Sequence, residues 1–157
     1  MIEQDVIKEF KDAGAMLSGH FILSSGLHSP TYLQCARVIM DARRGERLCS
    51  ALALKIREWM QASGKKIDAI VAPAMGGVVV GYEMGRQLEI DAMFCERVEE
   101  KFALRRGFEL SAGQNILIVE DVVTTGKSSM EAVSCVESFG AKTVAVASLI
   151  DRRGDND

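Results

Sequence analysis

A chain of 157 residues, 48% hydrophobic and 26% charged, carries enough apolar material for one globular core. Its formal charge of −3 argues against general nucleic-acid binding while leaving room for a local basic site. No apolar run approaches the roughly 20 residues that cross a bilayer, and the acidic opening Met1-Ile2-Glu3-Gln4-Asp5 lacks the layout of a signal peptide, so a cytoplasmic protein without a membrane partner is expected.

The chain opens with apolar positions at Ile2, Val6, Ile7, Phe10 and Ala13, a helical period stopped by Gly14. Over residues 19–33, two strand-like runs flank Ser24-Ser25-Gly26 and predict a hairpin, whose turn carries Ser24, Ser25, His28 and Ser29 either to line a site or to stand exposed. Asp41 caps a long helix with Leu48, Leu52, Ile56 and Trp59 or Met60 buried and Gly64 as its stop. Residues 67–73 read as a strand and residues 78–88 as a helix. The glycine pair between them, Gly76-Gly77, serves either approach to a ligand or close helix–strand packing. The four cysteines, Cys35, Cys49, Cys95 and Cys135, are scattered without a C-x-x-C pair, as suits small buried apolar residues rather than a zinc site or disulfides.

Residues 91–97 predict another strand. The stretch 97–109 that follows gathers Arg97, Lys101, Arg105 and Arg106 around few core positions, either as a solvated hairpin or as a mobile basic flap that covers a charged anion and excludes water. The apolar run 116–119 then reads as a buried parallel strand that brings Glu120 and Asp121 to its carboxyl end, where ligands bind in open α/β sheets. A helix is expected over residues 129–139 with Met130, Val133, Val136 and Phe139 inward, then a strand over residues 142–150 with Asp151-Arg152-Arg153 at its end. Strands alternating with helices predict a doubly wound parallel sheet in a single domain over residues 1–157.

Residues 124–129 can turn backbone N–H groups and hydroxyls towards an anion at a helix N-terminus. Two acids beside such a cradle suit a ligand with both hydroxyls and a phosphate, such as a ribose 5-phosphate. Gly126-Lys127-Ser128 invites comparison with the triphosphate P-loop, whose first glycine would fall at position 121. Asp121 stands there, and an acid inside a triphosphate cradle repels the ligand.

The run from the apolar strand through Glu120-Asp121-Val122-Val123-Thr124-Thr125-Gly126 to Ser128 resembles the phosphoribosyl-diphosphate motif of type I phosphoribosyltransferases. Residues 21–32, Phe94-Cys95-Glu96-Arg97 with Lys101, and Leu149-Ile150-Asp151-Arg152 are similar to segments of the orotate phosphoribosyltransferase family, so the resemblance runs from about Gly19 to Arg152. It implies that fold, with a helix-plus-hairpin hood over residues 1–40, and transfer of phosphoribosyl from 5-phosphoribosyl 1-diphosphate to orotate, giving orotidine 5-monophosphate. It implies phosphoribosyl-diphosphate contacts at Glu120, Asp121, Val122, Val123, Thr124, Thr125, Gly126, Lys127, Ser128, Arg97 and Lys101. Asp121, Lys101 and Arg97 are implied as catalytic, and Thr124 and Arg152 as orotate contacts. It further implies Mg²⁺ held mainly by substrate rather than by side chains, and a homodimer whose basic loop serves the neighbouring site.

Ser24 and Met75-Gly76 stand where many members of the family carry lysine or Tyr-Lys, which leaves Arg97, Lys101 and Lys127 for the diphosphate. Family members also continue past the region of Arg152 into at least one more strand, so a longer C-terminal part is expected than residues 153–157 supply. Two alternatives stay open: a purine phosphoribosyltransferase, against which Arg152 argues because it suits a carboxylate, and a non-catalytic phosphoribosyl-diphosphate sensor.

Overall fold

The computed structural model describes residues 1–22, 26 and 28–152, so the expected turn residues Ser24 and Ser25, and Arg153 with the tail, lie outside the described residues. The elements are α1 (Glu3–Asp12), β1 (Met16–Ile22), β2 (His28–Leu33), α2 (Cys35–Ile39), α3 (Ala42–Ser63), β3 (Ala69–Pro73), α4 (Gly77–Leu88), β4 (Asp91–Val98), β5 (Lys101–Leu104), β6 (Asn115–Val123), α5 (Lys127–Glu137) and β7 (Lys142–Asp151). No helix among the described residues is long and apolar enough to cross a membrane.

Side chains alternate across the sheet and so build two cores. Ala69, Val71, Ile116 and Ile118 pack with Ala132, Cys135 and Val136 of α5, while Ile70, Leu117 and Val119 pack with α3 and α4 through Cys49, Ala53, Ile56, Val80 and Met84. Helices therefore cover both faces, as the continuous apolar runs demand. The strand order is β5-β4-β3-β6-β7, with β5 alone antiparallel to its neighbour. From β3 the chain winds outward to β4, and from β6 it winds the opposite way to β7. The order therefore reverses between β3 and β6, and a crevice opens there at the carboxyl ends of the strands.

The boundaries have local causes. Asp41 accepts hydrogen bonds from the Arg43 and Arg44 backbone N–H groups at 3.0 and 3.3 Å, and Gly64 closes α3 in the left-handed region at φ 68°. Glu9 of α1 accepts from Arg44 Nε and Arg47 Nε, each at 2.8 Å, which fastens α1 to α3 and, chiefly through Arg47, holds the Glu9 carboxyl below its usual range. Phe10, Ala15, Cys35, Val38 and Leu48 form a third cluster that reaches Val122, Leu149 and Ile150, seating the hood against the ends of β6 and β7. All four cysteines are buried in these clusters.

Two expectations are corrected. The strand that begins at Asn115 does not stop at Val119 but runs through Glu120 and Asp121 to Val123, because β7 keeps pairing with it as far as Val123↔Asp151. On its other side, β3 is paired only as far as Val71↔Ile118, so the acids lie beyond the paired stretch of that neighbour. The face of α5 is also rotated: Ser129, Ala132, Cys135 and Val136 are buried, whereas Met130 is 62% and Phe139 41% exposed. The Ser129 hydroxyl donates to the Glu120 carboxylate, and this polar anchor turns Met130 outward in a way an apolar stripe does not register.

The 97–109 stretch is a hairpin. Val98 pairs with Lys101 around a two-residue turn at Glu99 and Glu100, both with positive φ (48° and 67°), as such tight turns require. Phe102 is buried beneath the hairpin, while Arg105 and Arg106 both pair with Glu96.

Candidate active site

Two adjoining cavities open at the crevice between β3 and β6. The first, about 400 Å³, is walled by residues 122–129 together with Arg97 and Glu120. The second, about 520 Å³, lies between residues 32–35 of the hood, the β3–α4 turn, Asp121 and Arg152. Glu120, Val122, Thr124 and Ser128 border both, so a ligand filling one reaches the other without leaving protein contact.

Local geometry makes the first cavity an anion cradle. Gly126 adopts φ 77°, a left-handed conformation that turns the chain from β6 into α5. The N-cap residue Gly126 has no side chain to cap α5, so N–H groups of its first turn beyond Lys127 are left for a ligand. Thr125 Oγ1 accepts from the Lys127 N–H at 3.3 Å and fixes the turn. Arg97, from the end of β4, lines the cavity from the far side.

The two acids at the junction differ. Glu120 is 7% exposed; burial pushes its carboxyl above the usual range, the Ser129 hydroxyl pulls it back, and the neighbouring Asp121 charge raises it again. Asp121 is half-buried at the edge of the second cavity, and burial raises it too, against the backbone N–H groups of Val122 and of Asp121 itself. Its carboxylate packs against Gly76, where a β-carbon would fall 2.5 Å from Oδ2. Gly77 is packed less tightly but still closely, its would-be β-carbon 3.0 Å from the Val119 carbonyl oxygen. Close helix–strand packing, one of the two uses expected of the glycine pair, is therefore present at Gly77, while Gly76 makes room for a side chain at the cavity edge.

Arg152 follows β7, its backbone N–H donating to the Val123 carbonyl at 2.8 Å. Its guanidinium donates to Ser29 Oγ at 3.0 Å and to the Thr31 carbonyl at 3.2 Å, tying the hairpin to the sheet end. The structure thus gathers Glu120, Asp121, residues 122–128, Arg97 and Arg152 around one crevice. Lys101 is set apart: it stands exposed on β5 and lines neither cavity.

Sequence reasoning missed Gln34 and Cys35 as a wall of the second cavity, because α2 is too short to leave a periodic signal. It also missed Glu131, which receives a hydrogen bond from Arg97; as an acid on an amphipathic helix it carries no signal of its own.

The phosphoribosyl transferase domain model matches residues 38–157. The chain is 53% identical over 154 residues to the orotate phosphoribosyltransferase of Parvibaculum lavamentivorans, covering 98% of this chain and 78% of that protein. It is likewise 53% identical over 152 residues to that of Rhizorhabdus wittichii, covering 97% and 76%. Among solved structures, the orotate phosphoribosyltransferase of Aeropyrum pernix superposes with a TM-score of 0.74 at 25% identity, over 96% of this chain and 83% of that one.

Proposed function

The chain belongs to the phosphoribosyl transferase domain family, within its orotate phosphoribosyltransferases, and from that premise we propose that the two cavities divide one transfer between them. The loop cavity takes the 5-phosphate of phosphoribosyl diphosphate on residues 125–128. The hood cavity takes orotate, with its carboxylate towards Arg152 and its ring beside Thr124. The junction at Glu120 and Asp121 takes the ribose hydroxyls. The observation that carries this reading is the shared border: Glu120, Val122, Thr124 and Ser128 line both cavities, and Asp121 follows Glu120 into the second.

An orotate ring nitrogen attacks the anomeric carbon as its bond to the diphosphate oxygen breaks; the bonding pair leaves with the diphosphate, which also takes up the proton the nitrogen gives up. Positive charge gathers on the ribose, where the paired carboxylates favour it. Negative charge gathers on the leaving group, where Arg97 supplies a cation. No side chain forms a covalent intermediate. Magnesium fits this donor set as an ion brought by the diphosphate: one or two carboxylates plus phosphate oxygens are its usual partners. When bound, it neutralises charge on the leaving diphosphate.

The test is an assay with phosphoribosyl diphosphate, magnesium and either orotate or adenine. Loss of orotate with release of diphosphate is expected. Adenine consumption instead would move the substrate class, and binding without turnover would leave a sensor.

The working unit of this reading is a homodimer. Val79 (54% exposed) and Tyr82 (72%) project from α4 beside an apolar groove against α3, and Met75 (84%) stands at the turn that leads into that helix. A second copy covering this face would bury side chains that water otherwise meets. Lys101, remote from its own cavities, then serves the partner's site. If so, Lys101→Ala and Asp121→Asn, each inactive alone, complement on mixing: about half the dimers are mixed and one site of each is intact, restoring about a quarter of wild-type activity. Absence of recovery after subunit exchange would put Lys101 outside the partner's site.

A further inference from the structure

The cation at the rim of the loop cavity is held in an unusually complete frame. Arg97 Nη1 donates to the Glu100 carbonyl at 2.9 Å, Nη2 donates to the Glu131 carboxylate, and the guanidinium carbon lies 4.4 Å from the centre of the Phe102 ring. Two bonds and one stacked face leave three of the five N–H donors for a ligand. Each part of the frame has its own origin: Glu100 in the tight turn, Phe102 as a buried residue of β5, and Glu131 on α5, the helix whose first turn walls the same cavity. Glu131 also stands 4.0 Å from Lys127 Nζ, so one carboxylate touches both cations that border the loop cavity.

A carboxylate so close to an anion site has an electrostatic cost, since it partly cancels the charge that attracts the ligand. A side chain whose only service was to fasten α5 to the β4–β5 hairpin would be better placed away from the cavity. We infer that Glu131 is a positioning residue: it locks the Arg97 guanidinium in the orientation that meets the leaving diphosphate. The inference rests on the proposed role of Arg97 in the transfer. Its effect falls on the transition state, where an oriented, pre-paid cation is worth more than a mobile one. Ground-state affinity changes little, because the freed arginine retains its charge and the repelling acid is gone.

The test is a double-mutant cycle on the full-length protein, with Glu131→Gln, Arg97→Ala and the pair, read as kcat and KM for phosphoribosyl diphosphate separately. Glu131→Gln is expected to lower kcat about tenfold with KM within about twofold, and to have no further effect once Arg97 is alanine. Unchanged kcat with a lower KM would make Glu131 a mere repeller and overturn the inference. Unchanged kcat with a lower melting temperature would make it a structural brace and do the same. A kcat loss that persists in the Arg97→Ala background would show that Glu131 does not act through Arg97. Full activity in Arg97→Ala would remove the residue to be positioned, whereas a wild-type protein that turns over no orotate would instead remove the functional reading beneath it.

Discussion

Replacing Asp121 by asparagine is expected to raise the melting temperature by about 2–4 °C at neutral pH, the shift that about 1 kcal/mol gives in a chain of this size. The same change is expected to lower turnover about 10²–10³-fold, the loss typical of removing one stabiliser of transition-state charge. The two effects share a cause. Burial pushes the Asp121 carboxyl above its usual range, and the adjacent Glu120, the less solvent-exposed of the two, is raised by burial and again by the Asp121 charge. The folded chain therefore holds two like charges together where water hydrates them poorly. Asparagine has nearly the same shape and can still accept from the Val122 N–H, but it brings no charge.

The sign of the pH dependence follows. A carboxyl whose folded pKa is raised binds its proton more tightly in the folded state, so wild-type stability falls as pH rises from the ordinary carboxylate range through the raised values, and then levels. The Asp121→Asn protein lacks one of these groups. Its advantage should vanish at acid pH and be complete above the raised pKa, while Glu120 remains. Thermal melts across a pH series measure this directly. A variant less stable than wild type at neutral pH, or one with turnover intact, would sink the account of a strained, charge-bearing junction.

Much of this junction is legible in the sequence because its parts are local. The buried run before Glu120, the turn glycine at position 126 and the hydroxyls around it each have a short-range cause, and the structure places them in one cavity wall. The cap at Asp41 and the stop at Gly64 are local in the same way. What was not legible depends on pairing between distant segments. Residues 116–119 look like a complete strand, yet β7 carries the pairing four residues further. Met130 looks buried by period, yet the bond from Ser129 to Glu120 rotates α5. Cations at 97–109 look like one basic group, yet Glu96 takes Arg105 and Arg106, Glu131 takes Arg97, and Lys101 is left exposed. Charge counted along a chain does not reveal which charges are already neutralised across it.

Gly76 carries the second large effect. Asp121 sits where it does because position 76 has no β-carbon: one added there would lie 2.5 Å from Oδ2 and 2.9 Å from Oδ1 and Cγ. In Gly76→Ala something must move, and the choices are unequal. The β6 backbone is fixed on both sides of Asp121 by pairing of Glu120 with Ser148 and Val122 with Ile150. The start of α4 is fixed by Gly77 against the Val119 carbonyl and Pro73. The carboxylate is the one mobile partner, so it swings away from the ribose site. Turnover should fall about 10²-fold, as displacement of a reacting group by about an ångström does, with a stability loss within about 1–3 kcal/mol. Gly77→Ala is the control, because its added carbon meets backbone at 3.0 Å and does not touch Asp121. It should lose stability without a matching loss of turnover per folded molecule. Built on Asp121→Asn, Gly76→Ala should cost no further activity, since both changes damage the same group. A Gly76→Ala protein with wild-type kcat would show that the Asp121 carboxylate need not stand where the glycine lets it.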